Sequence, residues 1–333
     1  MKRYAKWGGV LLLTPVLLFV FLSLLFYFPP FQRWAVRQAA AYASGKTGMQ
    51  ISVGSVRLSF PLDLALADVR AFAPNDTQPD CRDTVALVGR VVARVQLWPL
   101  LRSQVMVDRL GFDRLHLNTT HFIPAARIRG QVGRLDLRAH GIDLSRELAR
   151  VDAVRLSDAR LDIALSDTVP PDTAPSTNFW KLRVARLSLC RTALTLHLPG
   201  DTLSVAARMD RAEAVGTWMD LHRGLYTVGR LDWQGGLAYD QNFVPRTRGL
   251  DYSHLQLSAL RLRADSFYYG DSQLRLAVRE AAFAERSGLA VSSMRGTFTM
   301  DSTHLALPAL RVRTAAGTDV ALGFVMDLNA FAD

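Results

Sequence analysis

The stretch Leu255-Gln256-Leu257-Ser258-Ala259-Leu260-Arg261-Leu262-Arg263 places apolar residues at i, i+2, i+5 and i+7, with Arg261 and Arg263 interleaved. On a helix, at roughly 100° per residue, those four positions would point to about 0°, 200°, 140° and 340°, so no single face collects them. On a strand, i and i+2 share a face, and the three-residue step to i+5 inverts that parity unless a bulge or tight turn absorbs one residue. The stretch therefore reads as strand, bulge or turn, strand. The same spacing recurs in Leu110, Phe112, Leu115 and Leu117, in Leu182, Val184, Leu187 and Leu189, and in Leu305, Leu307, Leu310 and Val312. Chance in a Leu-rich chain is the competing explanation, since the copies start at uneven intervals.

Leu310-Arg311-Val312-Arg313 repeats the interleaving, so one face is apolar and the other cationic. A second sheet would close the apolar face in a sandwich, whereas a long curved sheet would leave it lining an open trough. Periodicity alone does not choose between them. Period-two alternation continues at Ile51-Ser52-Val53, Leu62-Asp63-Leu64, Leu135-Asp136-Leu137 and Leu194-Thr195-Leu196-His197-Leu198. Residues 145–150 are the one later stretch expected to form a helical turn. Pro170, Pro171 and Pro175, within residues 166–178, mark a polar loop between two groups of strands.

The N-terminus differs. Residues 7–28 read WGGVLLLTPVLLFVFLSLLFYF, with no charge between Lys6 and Arg33. At 1.5 Å per residue this run is long enough for a bilayer core of about 30 Å. It exceeds the apolar region of a signal peptide, and no small-residue cleavage site follows. Lys2, Arg3 and Lys6 would hold the N-terminus in the cytoplasm, although Arg33 and Arg37 beyond the span weaken that argument. Tyr4, Trp7, Tyr27 and Trp34 bracket the run as interfacial aromatics do. Residues 31–44, FQRWAVRQAAAYAS, follow Pro30 and stop at Gly45 and Gly48. They form an expected helix whose cations and aromatics suit a bilayer surface, or equally the end of a sheet.

The whole chain has 333 residues, net charge +10, 49% hydrophobic content and mean hydropathy +0.09. That is too apolar for disorder and apolar for an ordinary soluble enzyme. Two cysteines, Cys81 and Cys190, exclude a disulfide-stapled scaffold and any multi-cysteine metal centre, while leaving one bridge open.

The order of features resembles the N-terminal region of the AsmA-like proteins, and most closely the TamB family of Gram-negative envelopes. Ile51-Ser52-Val53-Gly54-Ser55-Val56 follows the anchor and helix. Leu66-Ala67-Asp68-Val69, Asp83-Thr84-Val85-Ala86-Leu87, residues 91–97, Trp98-Pro99-Leu100-Leu101-Arg102 and residues 105–117 then fall in the family's order. Cys81-Arg82 ahead of the Asp-Thr pair, and Val85 in place of Leu, depart from the pattern. The match covers about the first third of the chain. It implies a mainly β fold: a transmembrane helix over 1–30, an amphipathic helix over 31–48, and a long curved, taco-like antiparallel sheet with an apolar groove over 49–333. Family members are much longer, so the resemblance makes this chain the N-terminal part of such a β-taco.

The expected function is carriage of phospholipids along that groove between inner and outer membrane. Assistance to outer-membrane protein assembly, with a TamA-type barrel as partner, is the alternative, and a passive periplasmic scaffold is a third. The groove-lining candidates are the sixteen residues of the four repeats, and the membrane-interface candidates are Trp7, Tyr27, Arg33, Trp34 and Arg37. No enzyme is expected. The seven histidines are scattered singly, and no Walker A loop, GxGxxG or GxSxG is present. Asp152, Asp158 and Asp162 among Arg150, Arg155 and Arg160 read as a solvated charged face. No metal, cofactor or nucleic-acid partner is expected, and anionic lipid accounts for the excess positive charge.

Overall fold

The computed structural model describes residues 48–59, 63–74, 82–96, 106–119, 126–143, 147–165, 179–198, 203–246 and 248–327, with the isolated positions Pro30, Arg37, Ala40, Ala41, Ser44, Gly45 and Gly200. The membrane run 7–28 and the candidates Trp7, Tyr27, Arg33 and Trp34 lie outside the described residues, as does Cys81. The isolated positions between 30 and 45 are helical. Arg37 is exposed there, and Gly48, at φ +70°, returns its N–H to the Ser44 carbonyl at 2.9 Å. Cys190 is a free thiol.

From residue 50 onward the alternation becomes fourteen strands. They are β1 (Gln50–Ser59), β2 (Asp63–Pro74), β3 (Arg82–Val95), β4 (Val107–Asn118), β5 (Ala126–Asp143), β6 (Leu148–Leu165) and β7 (Lys181–His197). Then follow β8 (Leu203–Asp220), β9 (Leu225–Gln241), β10 (His254–Gly270), β11 (Gln273–Glu285), β12 (Ala290–Met300), β13 (His304–Thr314) and β14 (Asp319–Asp327). All belong to one open sheet, in which each strand lies beside its neighbours in sequence.

Two expectations are corrected. The sheet is not antiparallel throughout, because β6 and β7 run parallel, from Leu148↔Lys181 to Ala164↔His197. A parallel pair needs a return connection of a dozen residues or more, and the proline-bearing segment before β7 supplies that length. The helical turn expected at 145–150 is also absent from its described part. Leu148, Ala149 and Arg150 are strand residues paired to Asp143, Ile142 and Gly141, so sheet pairing overrides the local helical signal.

Each of the four repeats contains the parity change read from the leucine spacing. In β10, Ala259 takes φ +51° and the register with β9 slips between Leu257 and Leu260. In β4 the same role falls to Arg114 at φ +55°, and in β13 to the exposed pair Pro308-Ala309, where the register with β14 slips. In β7 the exposed pair Ala185-Arg186 separates Val184 from Leu187. Arg191, at φ +48°, makes a second change that the repeats did not mark.

The changes at Arg114 and Arg191 belong to a row that crosses β1 to β7. Gly54, Asp68, Gly89, Arg114, Gly133, Asp158 and Arg191 stand opposite one another from β1 to β7, each omitted between two regular register pairs. Asp68, Arg114, Asp158 and Arg191 have φ near +50°, a conformation that costs a non-glycine residue about 1–2 kcal/mol. Glycine faces three of them for a steric reason: a Cβ on Gly133 would lie 2.7 Å from the Cβ of Asp158.

Gly133→Val is therefore expected to destabilise the sheet by about 1–3 kcal/mol in a urea or thermal melt, as overpacking does. Gly111→Ala is the control, because a Cβ there meets nothing nearer than 3.8 Å and its melt should match the wild type.

Candidate functional site

Residues directly opposite one another in a sheet share a face. One apolar row accordingly crosses all fourteen strands. It runs Val56, Leu66, Val91, Phe112, Leu135, Leu156 and Leu189 through β7. It continues as Ala212, Trp233, Leu262, Ala281, Met294, Val312 and Val320. One residue from each of the four repeats, Phe112, Leu189, Leu262 and Val312, lies on it.

The remaining candidates fall on parallel rows of the same face. Leu110 is joined to Leu187 through Leu137 and Val154. Leu115 reaches Leu260 through Val132, Ala159, Thr192, Met209 and Gly235. Leu117 reaches Leu257 through Gly130, Leu161, Leu194, Ala207 and Leu237. Leu182 is linked to Leu305 through Met219, Tyr226, Tyr269, Leu274 and Met300. Val184 sits beside Val151, Leu255 beside Tyr239, Leu307 beside Phe324 and Leu310 beside Leu322. All sixteen candidates are thus brought to one face.

That face is neither a closed core nor bare surface. Among the described residues no large side chain is fully buried. Fifteen of the sixteen candidates are half-buried. Leu260 is the exception at 5% exposure, packed in the row beside the parity change where Val88, Val132, Ala159 and Thr192 are also buried. Leu260 is therefore a packing residue rather than a lining one. Val320, Leu322 and Phe324 at the β14 edge are each about 40% exposed.

The opposite face carries the arginines that the sequence interleaves with leucine, and many of them meet carboxylates. Arg94 donates to Asp63 at 2.6 and 2.8 Å, Arg191 to Asp158 at 2.5 and 2.9 Å, and Arg313 to Asp319 at 2.7 Å. Arg263 lies between Asp232 and Glu280, and Arg279 pairs with Asp265. The hydrogen bonds from Arg94, Arg191 and Arg313 hold Asp63, Asp158 and Asp319 below the ordinary aspartate value of 3.8. For Asp136, burial pushes upward, but the bond and charge of Arg109 outweigh it.

The described sheet carries open concavities. One of about 460 Å³, spanning β7 to β10, is lined by Leu194, Ala207, Leu237 and Leu257 with Arg208, Gln256, Glu285 and Arg286. Among the described residues no three His, Cys, Asp or Glu side chains are grouped to hold a metal ion. Asp158 and Asp162 each meet a partner, Arg191 and His197, across the parallel β6–β7 pair. Asp152 meets His140 at 2.7 Å.

The repeats missed most of the apolar face. Val154, Leu156, Ala159 and Leu161 have the same spacing around Asp158, as do Leu64, Leu66, Val69 and Ala71 around Asp68. Alanine and valine among the leucines disguised those copies, and a search for spacing with any apolar residue would have found them. No protein-family model matches this sequence, and no curated protein is detectably similar to it.

A carboxylate whose value is lowered in the folded state adds stability above its unfolded value and loses it as pH falls through the folded one. Melting temperature followed by circular dichroism should therefore hold from neutral pH to about pH 4 and decline below it. Asp158→Asn should flatten the part of that decline due to the Arg191 pair.

Proposed function

We propose that this protein is an envelope conduit that carries phospholipid acyl chains along the apolar face of its sheet, anchored in the inner membrane by residues 7–28 with its body in the periplasm. The observation that carries this reading is the unbroken row from Val56 to Val320. At about 4.8 Å between strands, fourteen strands offer an apolar path of about 60 Å. Each methylene moved from lipid into water costs about 0.8 kcal/mol, whereas a path of even apolarity keeps that free energy nearly level. A face of half-buried large side chains suits a chain that must enter and leave, because a closed core would admit nothing. The resemblance of the first third to the TamB family supports the same reading.

Adjacent residues on opposite faces give a direct test. A photo-crosslinking amino acid at Phe112 or Leu189 of the full chain in cell membranes should capture phospholipid, identified by mass spectrometry, while one at Ser188 should not. Equal capture at Leu189 and Ser188, or none at Phe112 and Leu189, overturns carriage. Phe112→Asp with Leu189→Asp, both at half-buried positions, should abolish lipid capture at a probe on Leu156 while the melting transition persists.

A further inference from the structure

We propose that the β9–β10 connection is a docking point for the surface of an anionic phospholipid bilayer. It exposes three large apolar or aromatic side chains, with Phe243 at 65%, Val244 at 91% and Tyr252 at 63%. Single exposed hydrophobics are ordinary, but these share one connection with two guanidinium groups. Arg246 stands over the Tyr252 ring, 5.4 Å from its centre, and Arg248 is exposed nearby.

No acidic residue occurs from Asn242 to Leu250, and the one carboxylate that follows is turned inward. Asp251 is 5% exposed, and its oxygens accept the Arg246 N–H at 2.8 Å and the Ser253 N–H at 3.1 Å while meeting His254 Nδ1 at 3.0 Å. The Gln241 N–H donates to the Ser253 carbonyl at 2.7 Å and closes the base of the connection. The protrusion is thus held open before any partner arrives, so docking orders little further chain.

Exposed apolar and aromatic side chains beside two arginines are the composition of a bilayer contact: the apolar side chains enter the headgroup boundary, arginines meet phosphates, and tyrosine lies at the interface. The two exposed arginines select an anionic surface over a neutral one. Register places the connection on the same lip of the sheet as the start of β1. The row that begins at Ile51, one residue into β1, passes through Leu117 and Leu194 and arrives at Leu237 and Leu257, just behind the connection. Docking does not depend on carriage of lipid. If the conduit reading holds, Tyr239 and Leu255 are the first apolar residues that a chain leaving such a surface would meet.

The test uses the full chain in phosphatidylglycerol–phosphatidylcholine nanodiscs, with Cys81→Ser, Cys190→Ser and Val244→Cys carrying an environment-sensitive fluorophore. Nitroxide-labelled lipid is placed either in the disc or in added vesicles of the same composition. Quenching from either source is expected, and its source tells which bilayer is docked. Arg246→Gln with Arg248→Gln should weaken it about thirtyfold, near fivefold for each cation. Discs and vesicles of phosphatidylcholine alone should respond as weakly as the double variant. No quenching from either source, quenching as strong on neutral lipid, or quenching unchanged in the double variant overturns the proposal, and a protein partner would then be the occupant. Because the probe reads position rather than cargo, its result is separable from lipid crosslinking at Phe112 and Leu189.

Discussion

The sheet depends on where its strands change parity. A strand of ten to eighteen residues with strict alternation would keep one set of side chains on one face, but these strands carry a three-residue step within the apolar series. If each strand took that step at its own height, neighbours would present leucine against arginine beyond the first step. The row from Gly54 to Arg191 prevents this by giving seven consecutive strands their change at one register position. The cost is four non-glycine residues near φ +50°, and glycines opposite relieve the crowding that results. In exchange, the apolar face is continuous on both sides of the row.

That continuity decides how the molecule is stabilised. The sheet is open, and its apolar rows run from strand to strand. Val88, Val132, Ala159, Thr192 and Leu260 form a buried line beside the parity row, while Ala73, Ala264 and Ala281 are buried elsewhere. In the long row the large residues keep a share of their surface, and its buried members are alanines, Ala212 and Ala281. Ion pairs occupy the other face, many of them exposed, and such pairs add little stability individually. Their clearer effect is to neutralise cations that would otherwise face one another across adjacent strands.

Most of the strand content and the two-faced character were legible in the sequence. The spacing around Leu110, Leu182, Leu255 and Leu305 identified strands interrupted by a bulge, and the structure has a parity change in each. Leu260 was misread because spacing says which face a residue takes and nothing of what packs beside it. The expected turn at 145–150 failed because Glu-Leu-Ala-Arg is locally helical but is held by pairing along the rest of β6. The clamp of Asp251 on the β9–β10 connection gave no signal, since one aspartate in a polar stretch looks like any loop residue.

The sequence by itself determined the elements and their faces, because alternation and backbone sterics act over a few residues and leave their mark in local order. Only the tertiary structure decided that the parity changes align, that β7 runs parallel to β6, and that residues as far apart as Val56 and Val320 lie on one row. Each of those is a relation of register between strands. Register is set by pairing along whole strands, so no single segment contains it.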